Sequence, residues 1–367
     1  MTDIDLRSDT VTLPTKEMRE AIAAAELGDD VFGEDPTVNR LQEVAAAVLG
    51  KEAGLLVTSG TQGNLVSLLA QTRPGEEALV EAQSHIYNNE SAGISRVAGL
   101  IPRTIPGRYG ALSGRQVEEA LRPADVHFPR TSIVCLENTH NTAGGTVITP
   151  EQMREVATVA REHDLKVHVD GARIFNAAVA LETEASTLAE EADSLTFCLS
   201  KGLCCPAGSV VVGSQGFIEE ARRARKLLGG GMRQAGIMAA AGIVALDRMV
   251  DRLSEDHANA RYLAEGIARM DSVNVDLESV QTNIVIFDVS PAGFSAPQFA
   301  SLLGEKGLRV TTKDRSRVRC VTHYGIDRQH IERALEILTE SLEKGSGADD
   351  LARPVHSDRY PREALTR

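Results

Sequence analysis

"TFCLSKGLCCPAG", residues 196–208, sets an apolar run directly against a charge. Thr196 to Leu199 read as a short buried strand, β-branched and aromatic in character. Ser200 and Lys201 follow at once, and an ammonium withdrawn from water costs several kcal/mol unless it is paired or neutralised. Gly202 then leaves the space above the lysine open. Two readings stand: a snorkelling surface lysine, or a desolvated amine that has lost proton affinity and serves as the nucleophile of a Schiff base.

Outward from this stretch, strand-like and helix-like segments alternate. "GLLVTSG" (54–60), "TSIVCLEN" (131–138), "LKVHVDGAR" and "DSLTFCLSK" read as strands. Between them, "EDPTVNRLQEVAAAVLG" has Asp35 as N-cap, Pro36 at the first helical position and Gly50 as the stop. "TPEQMREVATVAREH" opens with Thr149, Pro150 and Gln152 in a capping-box arrangement. This alternation predicts βαβ units and a mostly parallel sheet, an α/β fold. Past the Gly-rich "LLGGGMRQAG" (227–236), helix dominates, and then strand (283–288), helix (296–306), strand (317–323) and helix (327–343) predict a smaller α+β domain. The expected division is an N-terminal segment 1–15, a large domain 16–240, a small domain 241–343 and a flexible tail 344–367.

Bulk properties narrow the function classes. The chain has 367 residues, enough for two domains, and 39 Lys and Arg against 52 Asp and Glu give a net charge of −13. That surface argues against nucleic acid and anionic membranes as partners. No basic region followed by an apolar core opens the sequence, and apolar runs such as "AGIMAAAGIVAL" fall short of a membrane span. Cys135, Cys198, Cys204, Cys205 and Cys320 show no metal-ligand spacing. They read as buried free thiols of a cytoplasmic protein with no metal centre.

Ligands of open parallel sheets sit beyond the carboxyl ends of the strands, and polar residues collect at four such ends here. "SGTQGN" (59–64) passes through Gly60 into a helix, whose free N–H groups favour an anion, with Thr61 offering a hydroxyl. An ordinary glycine turn is the plain alternative, and no Walker lysine follows. "ENTHN" (137–141) ends a second strand. Asp170 ends a third, where it holds a protonated heterocyclic nitrogen, orients a histidine or caps a turn. Arg173 is placed to bind a carboxylate with two prongs, or to pair with Asp170. An imine-forming lysine, a phosphate cup and an aspartate are used together in pyridoxal phosphate catalysis.

In this order, "LRSDTVT", "GDDVFGEDPT", "SGTQGN", "ENTHN", "HVDGARIFNA", "LSKGL" and "GGGMRQ" resemble the L-threonine aldolases of the fold-type I pyridoxal phosphate superfamily, within the β-eliminating lyase group. The resemblance spans about residues 4–343. It implies a large domain with a mostly parallel seven-stranded sheet flanked by helices, and a homotetramer with sites at dimer interfaces. It implies retro-aldol cleavage of threonine or allo-threonine to glycine and an aldehyde, with pyridoxal 5′-phosphate as cofactor. Lys201 would carry the Schiff base, Asp170 the ring nitrogen, Gly60 and Thr61 the phosphate, and His85 would lie over the ring. Ser8, Arg173 and Arg319 would bind the amino-acid carboxylate, and His127 would lie near the substrate side chain. Lys226 and Arg233 would approach the phosphate, across a subunit contact. The proton-accepting base is His85, His127 or a bound water. Phe32 and Asn89 depart from the aromatic residues, tyrosine in the first case, that many relatives have there. A β-eliminating lyase or aminotransferase on the same scaffold is the alternative activity. A cofactor-binding protein without catalysis would lack the lysine or arginine, and a dinucleotide enzyme would show GxGxxG after a strand.

Overall fold

Short apolar runs that stop at polar residues become the strands of one sheet in the computed structural model, which describes residues 3–345. In chain order the strands are β1 (Ile4–Asp5), β2 (Ala53–Val57), β3 (Glu77–Glu81), β4 (Ile101–Ile105), β5 (Thr131–Glu137), β6 (Lys166–Asp170), β7 (Ser194–Cys198), β8 (Ser209–Gly213), β9 (Asn274–Val275), β10 (Ile284–Asp288), β11 (Leu308–Arg309), β12 (Thr311–Thr312) and β13 (Arg317–Val321). Seven of them form the large sheet, in the order β2-β8-β7-β6-β5-β3-β4. β8 runs antiparallel to both neighbours and the remaining pairs are parallel. Its Ser209 is in register with Val57 on one side and Cys198 on the other, so β2 and β7 release their chains at one rim. At the same rim Glu137 pairs with Asp170, and Asp170 with Thr196.

Local sequence explains the flanking helices. Asp35 accepts from the N–H groups of Thr37 and Val38 and starts the helix Pro36–Val48. Thr149 and Gln152 close their capping box at the helix Pro150–Glu162. Ser59 caps the helix Gly60–Gln71, which begins several residues before the apolar "NLVSLLAQ" that marks it in the sequence. β3, β4 and β8 escape the sequence reading: Glu77 and Glu81 bracket β3, Arg103 interrupts β4, and β8 lacks alternation because both its faces are buried.

The small domain carries a four-stranded antiparallel sheet, β12-β13-β10-β9, while β1 pairs in parallel with β11. Two large cores result. The first takes Leu56, Val134, Val169, Leu195, Ala239 and Leu253; the second takes Leu6, Ala260, Phe287, Phe299, Val318 and Leu338. The helix Gly236–Arg248 buries Ala239, Ala241 and Ala245 in the first core, so the expected boundary at 240/241 moves into the helix Leu253–Ile267. Ile4 and Leu6 belong to the small-domain core, and the N-terminal segment thereby bridges both domains. The expected tail opens with the end of the helix Arg328–Gly345, and its remainder lies outside the described residues. Among the described residues no helix is long and apolar enough to cross a membrane.

Candidate active site

Where β2 hands over to the helix Gly60–Gln71, the N–H groups of Gly60 and Thr61 have no intrahelical acceptor and line a cavity of about 360 Å³. A side chain at residue 60 would press on Cys198 Sγ at 2.9 Å, so glycine holds this turn against β7. Outward N–H groups and a helix dipole form an anion seat.

Asp170, 4% exposed, forms the cavity floor at the end of β6. Its Oδ1 accepts from Ala172 N at 3.1 Å and its Oδ2 from Asn64 Nδ2 at 2.9 Å. Neither bond neutralises the carboxylate. Arg173 does not pair with it; that alternative gives way to a different partner, Asp9.

Lys201 follows β7 at the same rim. Its Nζ donates to Cys198 Sγ at 3.3 Å, and no described carboxylate pairs with it. Thr12 Oγ1 donates to Lys201 O at 2.9 Å and ties the N-terminal segment to the lysine turn. An amine without an ion-pair partner is free to react.

Two arginines make the far wall. Arg173 Nε and Nη2 bind Asp9 at 2.6 and 2.7 Å, and this pair is buried. Burial opposes the Asp9 charge, but Arg173 outweighs it and holds the carboxyl well below the usual range. The Arg173 fork is therefore taken, leaving Nη1, 3.4 Å from Asn141 Oδ1. Arg319 Nη2 donates to the same oxygen at 2.8 Å, and its buried Nε has no partner among the described residues. Burial, and then the Arg173 cation, push the Arg319 guanidinium down to about 10. An unpartnered buried donor on a cation lacking a carboxylate calls for an anion.

His85 lines the cavity with its Nδ1 2.8 Å from Glu90 Oε1, and that bond outweighs burial to raise its pKa. Ser8 also lines the cavity and caps the turn Asp9–Val11. Eight expected residues thus meet here: Ser8, Gly60, Thr61, His85, Asp170, Arg173, Lys201 and Arg319.

Three expected residues are not brought to the cavity within one chain. His127 sits in a surface loop, its side chain 80% exposed and its Nδ1 2.5 Å from Asp125 Oδ1. Arg233 is exposed and binds Asp29 Oδ2 at 2.9 Å, and Lys226 is exposed near the end of the helix Gln215–Leu227. Each lies on a loop or near a helix end outside the cavity lining. Sequence reasoning also missed Asp9, Asn64, Glu90 and Asn141. Asp9, Asn64 and Asn141 stand inside motifs already quoted; Glu90 follows His85 by five residues and carries no signal of its own.

The residues present fit pyridoxal 5′-phosphate. The floor offers a buried carboxylate for the ring nitrogen, the helix start an anion seat for the phosphate, and Lys201 an unpaired amine for the aldehyde. His85, Glu90 and Asp170 are the one group among the described residues whose donor atoms could hold a metal, all within 4.8 Å of one another. Hydrogen bonds to Asn64 and between His85 and Glu90 already account for that closeness. All five cysteines are free and buried.

The profile of the family described as Beta-eliminating lyase matches residues 5–290. The chain is 41% identical to the Low-specificity L-threonine aldolase 1 of Arabidopsis thaliana over 93% of its own length and 97% of the relative's. It is 44% identical to the Low specificity L-threonine aldolase of Escherichia coli (strain K12) over 89% and 96% of the two chains. The solved structure of a threonine aldolase from Leishmania major superposes with a TM-score of 0.79 at 18% identity, covering 92% of this chain and 99% of that one.

Proposed function

From the premise that this chain belongs to the β-eliminating lyase family, we propose that it is an L-threonine aldolase acting through pyridoxal 5′-phosphate. It reversibly cleaves L-threonine, L-allo-threonine and related β-hydroxy-α-amino acids to glycine and an aldehyde. The observation that carries this reading is the meeting of two groups in the lining of one cavity. Among the described residues, Lys201 has no carboxylate partner and the buried Nε of Arg319 has no partner. An amino acid presents its amine to the first and its carboxylate to the second.

Bound pyridoxal 5′-phosphate supplies an aldehyde that condenses with amines and a protonated ring that takes up electrons from a bond breaking at Cα. The residues supply binding, orientation and proton handling. Lys201 Nζ would hold the aldehyde. Asp170 would keep the ring nitrogen protonated, since a buried carboxylate with only neutral donors is electrostatically incomplete. The N–H groups of Gly60 and Thr61 take the phosphate.

Arg319, helped by Ser8 and Arg173 Nη1, would bind the substrate carboxylate and so orient the bonds at Cα. Removal of the β-hydroxyl proton by a group of the cavity would let the Cα–Cβ bond break and the aldehyde leave. His85 holds its Nδ1 proton toward Glu90, leaving Nε2 to take a proton directly or through water. Reprotonation at Cα yields glycine.

Assembly as a homotetramer, a dimer of dimers, and a cytoplasmic location complete the reading. Exposed Leu227 lies next to Lys226, and exposed Phe32 lies in the turn of the Asp29 that holds Arg233, apolar surface of the kind an interface covers. Five buried free thiols suit a reducing compartment. The test mixes the protein and pyridoxal 5′-phosphate with L-threonine, L-allo-threonine and L-serine. Glycine and acetaldehyde should appear from the first two; pyruvate from serine without glycine from threonine would replace the aldolase with a β-eliminating enzyme.

A further inference from the structure

A chain of largely buried hydrogen bonds runs from Gln71 to Asp170 and Glu90 in the cavity lining. Gln71 Nε2 donates to Ser194 Oγ at 2.7 Å, and the Ser194 hydroxyl donates to His168 Nδ1 at 2.8 Å. His168 Nε2 donates to Asn64 Oδ1 at 3.0 Å. The two N–H bonds of Asn64 Nδ2 then divide, one to Asp170 Oδ2 at 2.9 Å and one to Glu90 Oε1 at 2.8 Å. That Glu90 oxygen also takes the Nδ1 proton of His85.

The direction of this chain is dictated by its ends. Two carboxylates can only accept, so the amide nitrogen must face them and the amide oxygen must face His168. His168 must then carry its proton on Nε2, and the Ser194 hydroxyl must point at Nδ1. Burial pushes His168 down to about 4, which keeps it neutral; the facing charge is Asp170. Asn64 is 1% exposed, so no solvent replaces a lost partner. Turning the amide over would set its oxygen against both carboxylates.

We propose that Asn64 is a positioning residue that sets Asp170 and Glu90 with a single amide, so that the partner of the cofactor ring nitrogen and the orientation of His85 change together. The proposal rests on the reading of Asp170 and His85 as cofactor contacts. It gives His168 and Ser194, which line no part of the cavity, a role in the reaction through the tautomer they enforce.

The test compares His168→Gln, which keeps an N–H toward Asn64 Oδ1, with His168→Leu, which does not. In the cofactor-free protein, imidazole NMR reads the titration of His85, which is faced by Glu90, Asp170 and Glu137. When the amide lets go, Glu90 Oε1 gives all of its charge to His85. The His85 midpoint should therefore rise by about half a pH unit or more in His168→Leu and stay at the wild-type value in His168→Gln. In the loaded enzyme the pH midpoint of the visible cofactor band should move by about one pH unit in the Leu variant alone, with kcat lowered about tenfold and KM kept within about threefold. Ser194→Ala is a milder break of the same chain and serves if His168→Leu does not fold. Equal midpoints in the Leu and Gln variants, or a fall in kcat with both midpoints unmoved, overturn the proposal. If wild type takes up no pyridoxal 5′-phosphate, the functional reading fails while the cofactor-free titration still decides the role of Asn64.

Discussion

The floor of the cavity and its far wall are built on opposite terms. On the floor, Asp170 and Glu90 are fixed by neutral donors that converge through Asn64, all on β6 and on segments packed against the large sheet. On the wall, Arg319 comes from β13 of the small domain and faces Arg173, with a lone amide oxygen of Asn141 shared between the two cations. The floor keeps net negative charge and leaves the buried Oε2 of Glu90 without a partner among the described residues; the wall is a pair of cations one anion short. A floor of fixed negative charge suits a cationic ring that stays, and a wall of excess positive charge suits an anion that arrives and leaves.

Replacing the amine should break this contrast most completely. Lys201→Ala should lower aldol cleavage by at least about a thousandfold, read as glycine formation; turnover near wild type would remove the nucleophile assignment. Next comes Asp9→Ala, which strands the buried Arg173 cation. Breaking such a pair costs about 3–5 kcal/mol, and urea unfolding should show the loss. An unchanged unfolding midpoint would mean that the wall does not need its internal anion.

Acid should loosen the floor. His168 is held near 4 in the fold against about 6.5 in the unfolded chain, so the unfolded chain binds the extra proton between those values. Stability from this group is complete above about pH 6.5 and falls by about 3 kcal/mol as pH drops to 4. His257, also pushed by burial to about 4, adds loss of the same sign. Thermal melts of His168→Gln should show a shallower acid limb than wild type; parallel limbs would deny His168 its share.

On the wall, Arg319→Ala should raise KM for threonine about 10- to 100-fold, the scale of a lost charge-assisted bond, with kcat less affected. A steady KM would place the carboxylate elsewhere. The smallest effect is expected at His127→Asn, where kcat should stay within about twofold as for an exposed loop residue. A large fall there would show that a second copy carries His127 into the cavity.

Asp170 and Lys201 were legible in the sequence because each stands where an apolar strand ends. "KVHVD" announces Asp170 and "TFCLSK" announces Lys201, since periodicity and burial mark the exit and the exit marks the chemistry. Glu90 was illegible: it belongs to no strand end, and only packing brings it under Asn64. Likewise the fork of Arg173 could be assigned to Asp170 three residues away, until the fold set Asp9 beside it from 164 residues away. The domain boundary misled for a related reason. The Gly-rich turn before residue 236 looks like a hinge, yet the small apolar face of the following helix belongs to the first core.

By itself the sequence determined the α/β alternation and which polar residues follow the ends of apolar strands, because these follow from short-range periodicity, capping and turn chemistry. Only the tertiary structure decided which charges are paired and which are left over: Asp9 with Arg173, Glu90 with His85, and Arg319 with no carboxylate among the described residues. Those outcomes depend on distances between segments far apart in the chain and on how little water remains between them, and neither is written in local pattern.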